Sequence, residues 1–365
     1  MTPPFNSRAD HPVELWYSHR GGATASALAA HKGWLQDEFA QGGTVLRALS
    51  DADSRDIRLA HYHHGQSGLL REGGNVPAIW ARSEGQSAVV VAITWVDEYQ
   101  GILVRADSKI RHLGDLQGKR LGLPLRRRAM IDLQRASAQR GFATALTLAG
   151  LDPTVARWTH IQSPDFEYPQ RTSGQEVELD ALRSGYVDAV FLRGTPGYAA
   201  SQDPAFREIA DLNRQSAPLL RVNNGTPRPI TVDRAFLERH PEIVQRYLSV
   251  LVRTARWANS HPQEVSALLA HENPGYTAEQ IAGTHGPRLH RSLMPSLSPS
   301  CVAGLEIQKN FLLTWRYISH DFDVNQWIDP APLNAVLQAA RKPHSPHSAP
   351  HAARWTITKE HYHAS

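Results

Sequence analysis

The stretch Gly101-Ile-Leu-Val-Arg-Ala-Asp-Ser108, followed by Leu113-Gly-Asp-Leu-Gln-Gly-Lys-Arg-Leu-Gly-Leu-Pro124, decides how the chain is organised. Its first part predicts a strand. Its second part predicts a short helix, a glycine turn and another strand that ends at proline. We place the start of a second lobe near Ala106, directly after the predicted strand.

Toward the N-terminus the pattern predicts strands alternating with helices. The run from Val13 to Ser18 predicts a first strand, and Ala23 to Phe39 has the apolar spacing of one helix. The near-continuous apolar segment Ser87 to Trp95 is typical of a strand that is covered on both faces, so we expect a parallel sheet. Two further strands are predicted, at Thr44 to Leu49 and at Ile57 to Tyr62.

Toward the C-terminus the alternation continues in βαβ units. A helix is predicted after Pro124, and a strand, a helix and a strand follow at Arg157–Ile161, Glu176–Ser184 and Asp188–Arg193. Around residues 219–232 the chain turns β-like again, which we interpret as the return into the first lobe. From Asp233 to about Ala340 it is helical, with a break at Pro241.

These elements predict a two-lobed α/β fold with a ligand cleft between the lobes. The 365 residues suffice for two lobes of ordinary domain size. The first lobe is discontinuous, over residues 12–105 and 225–340, and the second covers residues 106–224. Residues 341–365 are rich in Pro, Ser and His, which predicts a disordered His-rich tail.

Composition excludes several classes of function. The net charge is only +4 and no nucleic-acid-binding module is recognisable, so we expect no nucleic-acid partner. No segment reaches the roughly 20 apolar residues of a membrane span, so we expect no integral membrane segment. A single cysteine, Cys301, excludes an internal disulfide and a thiolate metal cluster.

The first residues carry no apolar run of the secretory type, which predicts a cytoplasmic protein. A start codon assigned too late would hide such a signal, and the protein would then be periplasmic.

The quoted stretch resembles the nitrate/sulfonate/taurine superfamily of transporter substrate-binding proteins. Arg239-His-Pro-Glu-Ile-Val and Trp257-Ala-Asn-Ser-His-Pro carry the same resemblance. It implies the two-lobed periplasmic-binding-protein-like (type II) fold and a small anionic organic ligand.

A closer resemblance is to the hydroxybiphenyl sulfinate desulfinase-like branch, whose members are cytoplasmic enzymes that hydrolyse an aryl carbon-sulfur bond. It is carried by Tyr17-Ser18, by His61 to Pro77, by the Gly101 strand, and by Gln308-Lys-Asn-Phe-Leu-Leu-Thr with Gln326-Trp327. It covers most of the chain, although residues 125–170 match poorly.

The resemblance implies catalytic roles for His61 and Arg71. A histidine and an arginine ten positions apart line the pocket in that branch, and these two residues match them in type and spacing. Gly73 and Gly74 match its paired glycines. The branch has a nucleophilic cysteine at the position of Arg20, and a guanidinium has no free lone pair with which to replace it.

The turn Ser18-His19-Arg20-Gly21-Gly22 is a second candidate site, because amides at a helix start favour an anion. Ser18, His19 and Arg20 are therefore substrate-binding candidates, together with Gly73 and Gly74. Arg20 and Arg71 would offer two cations to a sulfonate, sulfinate or carboxylate. Alternatively, Arg71 pairs with Glu72 and has no function in binding.

Three further readings stay open. His61 and His63 would share a face of the predicted strand near His64, but they have no acidic or thiol partner, so we expect no metal and no cofactor. Ser18, Ser26 and Ser67 are candidate replacement nucleophiles or helix caps. The Arg126–Arg128 run is typical of a solvated helix face.

Two functions follow from these observations. The first is a cytoplasmic carbon-sulfur hydrolase without the family cysteine, acting on a small, aromatic anion. The second is a solute-binding protein of a sulfonate/nitrate/taurine-type ABC importer, or a sensor derived from one, with an ABC permease as partner only if the protein is exported. The absent cysteine favours the second, and the absent signal favours the first.

Overall fold

The computed structural model describes residues 12–18, 22–166, 168 and 175–341. The strands, in chain order, are β1 (Val13–Tyr17), β2 (Thr44–Ala48), β3 (Leu69–Glu72), β4 (Ala88–Thr94), β5 (Gln100–Arg105), β6 (Arg120–Leu125), β7 (Arg157–Gln162), β8 (Ala189–Arg193), β9 (Phe206–Asp211) and β10 (Arg228–Asp233). The helices are α1 (Ala25–His31), α2 (Trp34–Phe39), α3 (Arg55–His63), α4 (Asn75–Ser83), α5 (Leu133–Leu148), α6 (Glu176–Arg183), α7 (Gly194–Ser201), α8 (Arg234–Arg239), α9 (Pro241–Asn259), α10 (Pro262–Glu272), α11 (Ala278–His285), α12 (Pro299–Thr314), α13 (Val324–Trp327) and α14 (Ala331–Ala339).

The strands form two five-stranded sheets, one in each lobe. The first has the order β2-β1-β3-β10-β4 and the second has the order β7-β6-β8-β5-β9. Apolar clusters cover both faces of each sheet. All seven residues of β4 are buried, as its apolar run predicts.

The first sheet contains both parallel and antiparallel strands, whereas a parallel sheet was expected. β1 runs parallel to β2 and β3, whereas β10 is antiparallel to both of its neighbours. β10 is the strand with which the chain returns from the second lobe, and it enters the sheet from the opposite direction. The chain thus re-enters the first sheet at β10.

The first crossing between the lobes lies earlier than predicted. β5, which the sequence analysis placed in the first lobe, pairs with β8 and β9 in the second sheet. The chain therefore crosses between the lobes at residues 95–99. The sequence did not indicate this, because an apolar strand carries no signal of which sheet it joins. The other predicted lobe boundaries stay predictions, and the tail lies outside the described residues from residue 342 onward.

Two predicted elements of the first lobe are different in the structure. The helix expected from Ala23 to Phe39 is divided into α1 and α2 at Gly33, whose φ is 74°. The strand expected at Ile57 to Tyr62 is the helix α3, which begins after Ser54, whose hydroxyl accepts a hydrogen bond from the amide of Ile57. A serine cap at this point was the signal for a helix.

No helix among the described residues is long and apolar enough to cross a membrane.

Candidate functional site

A cavity of about 690 Å³ lies between the two lobes. The first lobe contributes the carboxyl ends of β1 and β3 and the starts of α1 and α4. The second contributes the start of α5, part of α6 and the end of β8. The cavity therefore has the interlobe position that the sequence analysis expected for the ligand.

Most of the predicted site residues lie together on one wall of this cavity. Ser18 follows β1, and Arg71, Gly73 and Gly74 come at the end of β3, while His61 approaches from α3. β1 and β3 are parallel neighbours, so their carboxyl ends meet at one edge of the sheet. Two further candidates, His19 and Arg20, lie outside the described residues.

Arg71 is fully buried and faces the cavity with an unsatisfied guanidinium. Its Nε donates to the backbone carbonyl of His61 at 2.7 Å. Its two terminal nitrogens have no hydrogen-bond partner among the described residues. Burial lowers the pKa of Arg71 to about 10, so the side chain still carries its charge at neutral pH. A buried cation of this kind needs an anion, and the cavity is where one can enter.

The alternative pairing of Arg71 with Glu72 is not present. The Glu72 carboxylate accepts hydrogen bonds from the amide of Ser26 and the hydroxyl of Thr94, each at 3.0 Å. Successive residues of a strand point to opposite faces, which directs the two charged groups apart. Arg71 is therefore not neutralised by its neighbour in sequence.

The ring of His61 stacks on that of Tyr168, with centroids 4.3 Å apart and an angle of 14°. Its Nδ1 is buried and has no partner among the described residues. Burial, followed by the charges of Arg71 and His64, holds the pKa of His61 well below its usual value. The imidazole is therefore neutral at neutral pH and can accept a proton or a hydrogen bond.

The helical conformation of α3 also changes the relation between His61 and His63. Residues two apart on a helix point to different sides, and the Nε2 of His63 lies 3.1 Å from the carbonyl of Asp56. In the described part of the chain no three His, Cys, Asp or Glu side chains form a group that could hold a metal ion.

The two glycines differ in what their amides can do. The Gly73 amide donates to the carbonyl of Pro229 at 3.4 Å, whereas the Gly74 amide has no partner among the described residues. A Cβ on Gly73 would lie 2.9 Å from the Cζ of Arg71. Gly73 therefore gives the guanidinium its room, and Gly74 is the amide that remains available to an anionic oxygen.

Of the three candidate serines, Ser18 alone lines the cavity. Its hydroxyl is buried and has no partner within the described residues. Ser26 donates to the hydroxyl of Thr24 at 3.2 Å, and Ser67 donates to Asp233 at 3.3 Å. Ser26 and Ser67 therefore act in local structure.

No thiol reaches the cavity. Cys301 is the single cysteine of the sequence, and it is buried in α12, away from the cavity wall. Burial raises the pKa of its thiol. Any reaction in this cavity must proceed without cysteine.

The Arg126–Arg128 run differs from the predicted solvated helix face. It lies in a turn after β6, with Arg127 and Arg128 exposed and Arg126 buried. Arg126 pairs with Asp132 at 3.3 Å, and its guanidinium lies 4.6 Å above the ring of Phe166. Only the last two arginines fit the prediction.

An ionic cluster that no sequence pattern indicated also lines the cavity. Glu98, on the crossing at residues 95–99, pairs with Arg193 at 2.7 Å and with Arg228 at 3.2 Å. Although burial opposes it, these two cations lower the pKa of the Glu98 carboxyl. Arg193 ends a strand of the second sheet and Arg228 begins a strand of the first, so Glu98 joins the lobes.

Glu178 of α6 and Tyr168 are also cavity residues that the sequence analysis did not single out. Glu178 lies four residues before the fully buried Leu182, so it is on the buried side of the helix. That spacing is a signal that could have identified it.

No family model matches the chain. The curated 2'-hydroxybiphenyl-2-sulfinate desulfinases of Rhodococcus erythropolis and Rhodococcus qingshengii are each 26% identical to it over 362 residues, covering 90% of this chain and 94% of theirs. The resemblance to the desulfinase-like branch is thereby confirmed.

Solved structures have the same fold. A cysteine-to-serine variant of the desulfurization enzyme DszB in complex with biphenyl-2-sulfinic acid is similar with a TM-score of 0.71 and 24% identity, covering 90% of this chain and 99% of that one. The periplasmic aliphatic sulphonate binding protein SsuA from Escherichia coli has a TM-score of 0.64 and 19% identity, covering 87% and 97%. The two-lobed periplasmic-binding-protein-like fold is confirmed.

Proposed function

We propose that this protein binds a small aromatic sulfinate, sulfonate or carboxylate in the interlobe cavity and hydrolyses a carbon-sulfur bond without a cysteine nucleophile. The observation that carries the proposal is the guanidinium of Arg71, which is buried, charged and without a partner for either terminal nitrogen among the described residues. Two parallel donors of this kind match two oxygens of a sulfinate or carboxylate.

The groups around Arg71 suit an aromatic anion. The ring of His61, whose backbone carbonyl accepts the hydrogen bond from Arg71, stacks on the ring of Tyr168. Phe191 and Leu133 line the same cavity from the second lobe. Aromatic rings pack well against such flat surfaces. The anionic head would thus lie at Arg71 and the aromatic body toward the second lobe.

Each cavity residue has a separate role in the proposed reaction. Arg71 holds the oxygens of the anion, and the Gly74 amide stabilises charge that develops on one of them. His61 is neutral and accepts a proton from water as the sulfur group is hydrated. Arg20, which stands where the resembling enzymes have cysteine, supplies a second cation in this proposal.

A second candidate function is ligand binding without reaction, as in a solute-binding protein of an ABC importer. The sequence observation that favours it is Arg20, because binding needs charge and no nucleophile. The SsuA proteins of the same fold are named as sulfonate-binding proteins. A cytoplasmic location belongs to the hydrolase proposal, and an ABC permease becomes a partner only under this second one.

Sulfite release separates the two functions. The purified protein is incubated with biphenyl-2-sulfinate and with alkyl and aryl sulfonates, and free sulfite is measured beside a thermal-shift titration. Release by the parent protein that is lost in His61→Ala and kept in His63→Ala supports the hydrolase. A thermal shift without sulfite contradicts the hydrolase and supports the binding protein.

A further inference from the structure

A buried carboxyl group lines the same cavity from the other lobe. Glu178 is 3% exposed and lines the cavity, and its Oε2 has no hydrogen-bond partner among the described residues. α6 turns this residue inward together with Leu182, which is fully buried. A carboxyl group without a cation of its own favours its protonated form.

Arg126 favours the ionised form of Glu178, but it does not outweigh the effect of burial. Arg126, the nearby positive charge, is paired with Asp132, and the carboxyl groups of Asp132 and Glu176 oppose ionisation further. Burial is the largest cause, and it raises the pKa of Glu178 to about 7. The protonated form of this residue is therefore accessible at neutral pH.

Glu178 and Arg71 line the same cavity, and Arg126 acts on both Glu178 and Tyr62, the latter also being a neighbour of Arg71. The ring of Tyr62 lies within range of the charges of both Arg71 and Arg126, and it stacks on Phe166 at 5.8 Å. The guanidinium of Arg126 lies over the ring of Phe166, 4.6 Å from its centroid. An anion held by Arg71 that extends along these side chains would bring its organic part toward Glu178.

We propose that Glu178 is the acid that gives a proton to the ring carbon bearing the sulfinate group. This inference rests on the proposed hydrolase function. The proton forms a carbon-hydrogen bond, and the carbon-sulfur bond breaks as its electron pair restores the aromatic ring. Sulfur dioxide leaves and adds water to give hydrogen sulfite and a proton, which His61 accepts and which then returns to Glu178. The sum is one aryl sulfinate and one water converted to one arene and one hydrogen sulfite.

The other groups on the wall are poor donors for this step. The imidazole of His61 is uncharged at neutral pH, so it is a poor proton donor. Burial raises the pKa of Tyr62 to about 12. Proton addition to carbon also needs no nucleophile, so this step does not require the cysteine that the sequence lacks at position 20.

The test compares Glu178→Gln with Asp180→Asn, an exposed acidic position on the same helix. Sulfite release from biphenyl-2-sulfinate is measured from pH 6 to 9, and Kd is measured by calorimetry. We expect kcat of the parent protein to fall above about pH 7, as a single group loses its proton. Glu178→Gln should lose roughly 100-fold or more in kcat, with Kd changed less than about threefold, whereas Asp180→Asn should match the parent.

Two results would overturn the assignment while leaving the hydrolase intact. One is sulfite release by Glu178→Gln at a rate near that of the parent. The other, which needs no variant to fold, is a parent protein whose kcat stays level between pH 6 and 9. Absence of sulfite release from the parent protein would overturn the hydrolase function itself, and the role of Glu178 with it.

Discussion

The Nε of Arg71 donates a 2.7 Å hydrogen bond to the backbone carbonyl of His61, ten residues earlier in the chain. The bond leaves both terminal nitrogens of the guanidinium without a partner among the described residues. One backbone group thus orients a buried cation toward the cavity without neutralising it. The ten-residue spacing between His61 and Arg71 therefore has a physical basis, because α3 and β3 bring these two residues into contact.

Gly73 controls the position of that cation. A methyl group there would lie 2.9 Å from the Cζ and one terminal nitrogen of Arg71, so Gly73→Ala should push the guanidinium away. Loss of one charge-assisted hydrogen bond costs about 1.5–3 kcal/mol, which is a roughly 10- to 100-fold increase in Kd. Calorimetry with biphenyl-2-sulfinate measures the change.

Gly114→Ala is the matched control, because the nearest atom to its added methyl group would be 3.5 Å away. An unchanged Kd in Gly73→Ala would show that the guanidinium does not need its present position.

Glu98 joins the two lobes through buried charges. Glu98→Ala leaves Arg193 and Arg228 without their shared carboxylate, and breaking a buried ion pair costs about 3–5 kcal/mol. The free energy of unfolding, measured with urea, should fall by that amount. Glu14→Ala removes a pair with Arg47 that is about half exposed, and it should cost no more than about 1 kcal/mol. Equal costs for the two variants would contradict the role of Glu98.

His285 makes stability depend on pH. Burial, followed by the charge of Arg228, lowers the pKa of His285 to about 4. In the unfolded chain the same group takes up a proton below about pH 6.5. Protons therefore favour the unfolded state, so this residue makes the native state less stable as pH falls from 6.5 toward 4.

Removing the histidine should remove this effect. Relative to His285→Gln, the parent protein should lose about 1.4 kcal/mol of unfolding free energy for each pH unit in that window. Urea titrations of both proteins between pH 4.5 and 7.5 measure the difference, which cancels the contributions of Glu178 and the other histidines. A difference that does not vary with pH would mean that His285 titrates normally in the folded protein.

The sequence predicted features that local patterns determine. The apolar run of β4, the helix predicted at Glu176–Ser184 and the break at Pro241 are all where periodicity and special residues placed them. The wall that contains Ser18, His61 and Arg71 was also predicted, from the strand-to-turn pattern and the resemblance.

What failed depends on contacts that are distant in sequence. Glu98 meets partners 95 and 130 residues away, and neither separation leaves a pattern in the sequence. The sheet that β5 joins is decided in the same way, by strands far along the chain. The strand predicted at Ile57 to Tyr62 was wrong for a local reason, because the helix cap at Ser54 was overlooked.

Calorimetric titration of biphenyl-2-sulfinate into the parent protein and Arg71→Met tests the central claim most directly. We expect one site in the parent and a Kd at least about 100-fold higher in the variant, since two charge-assisted hydrogen bonds are lost. The ligand-free variant should melt no lower than the parent, because it no longer buries a charge with unmade hydrogen bonds. Equal affinity in the two proteins would contradict the claim that Arg71 holds the anion.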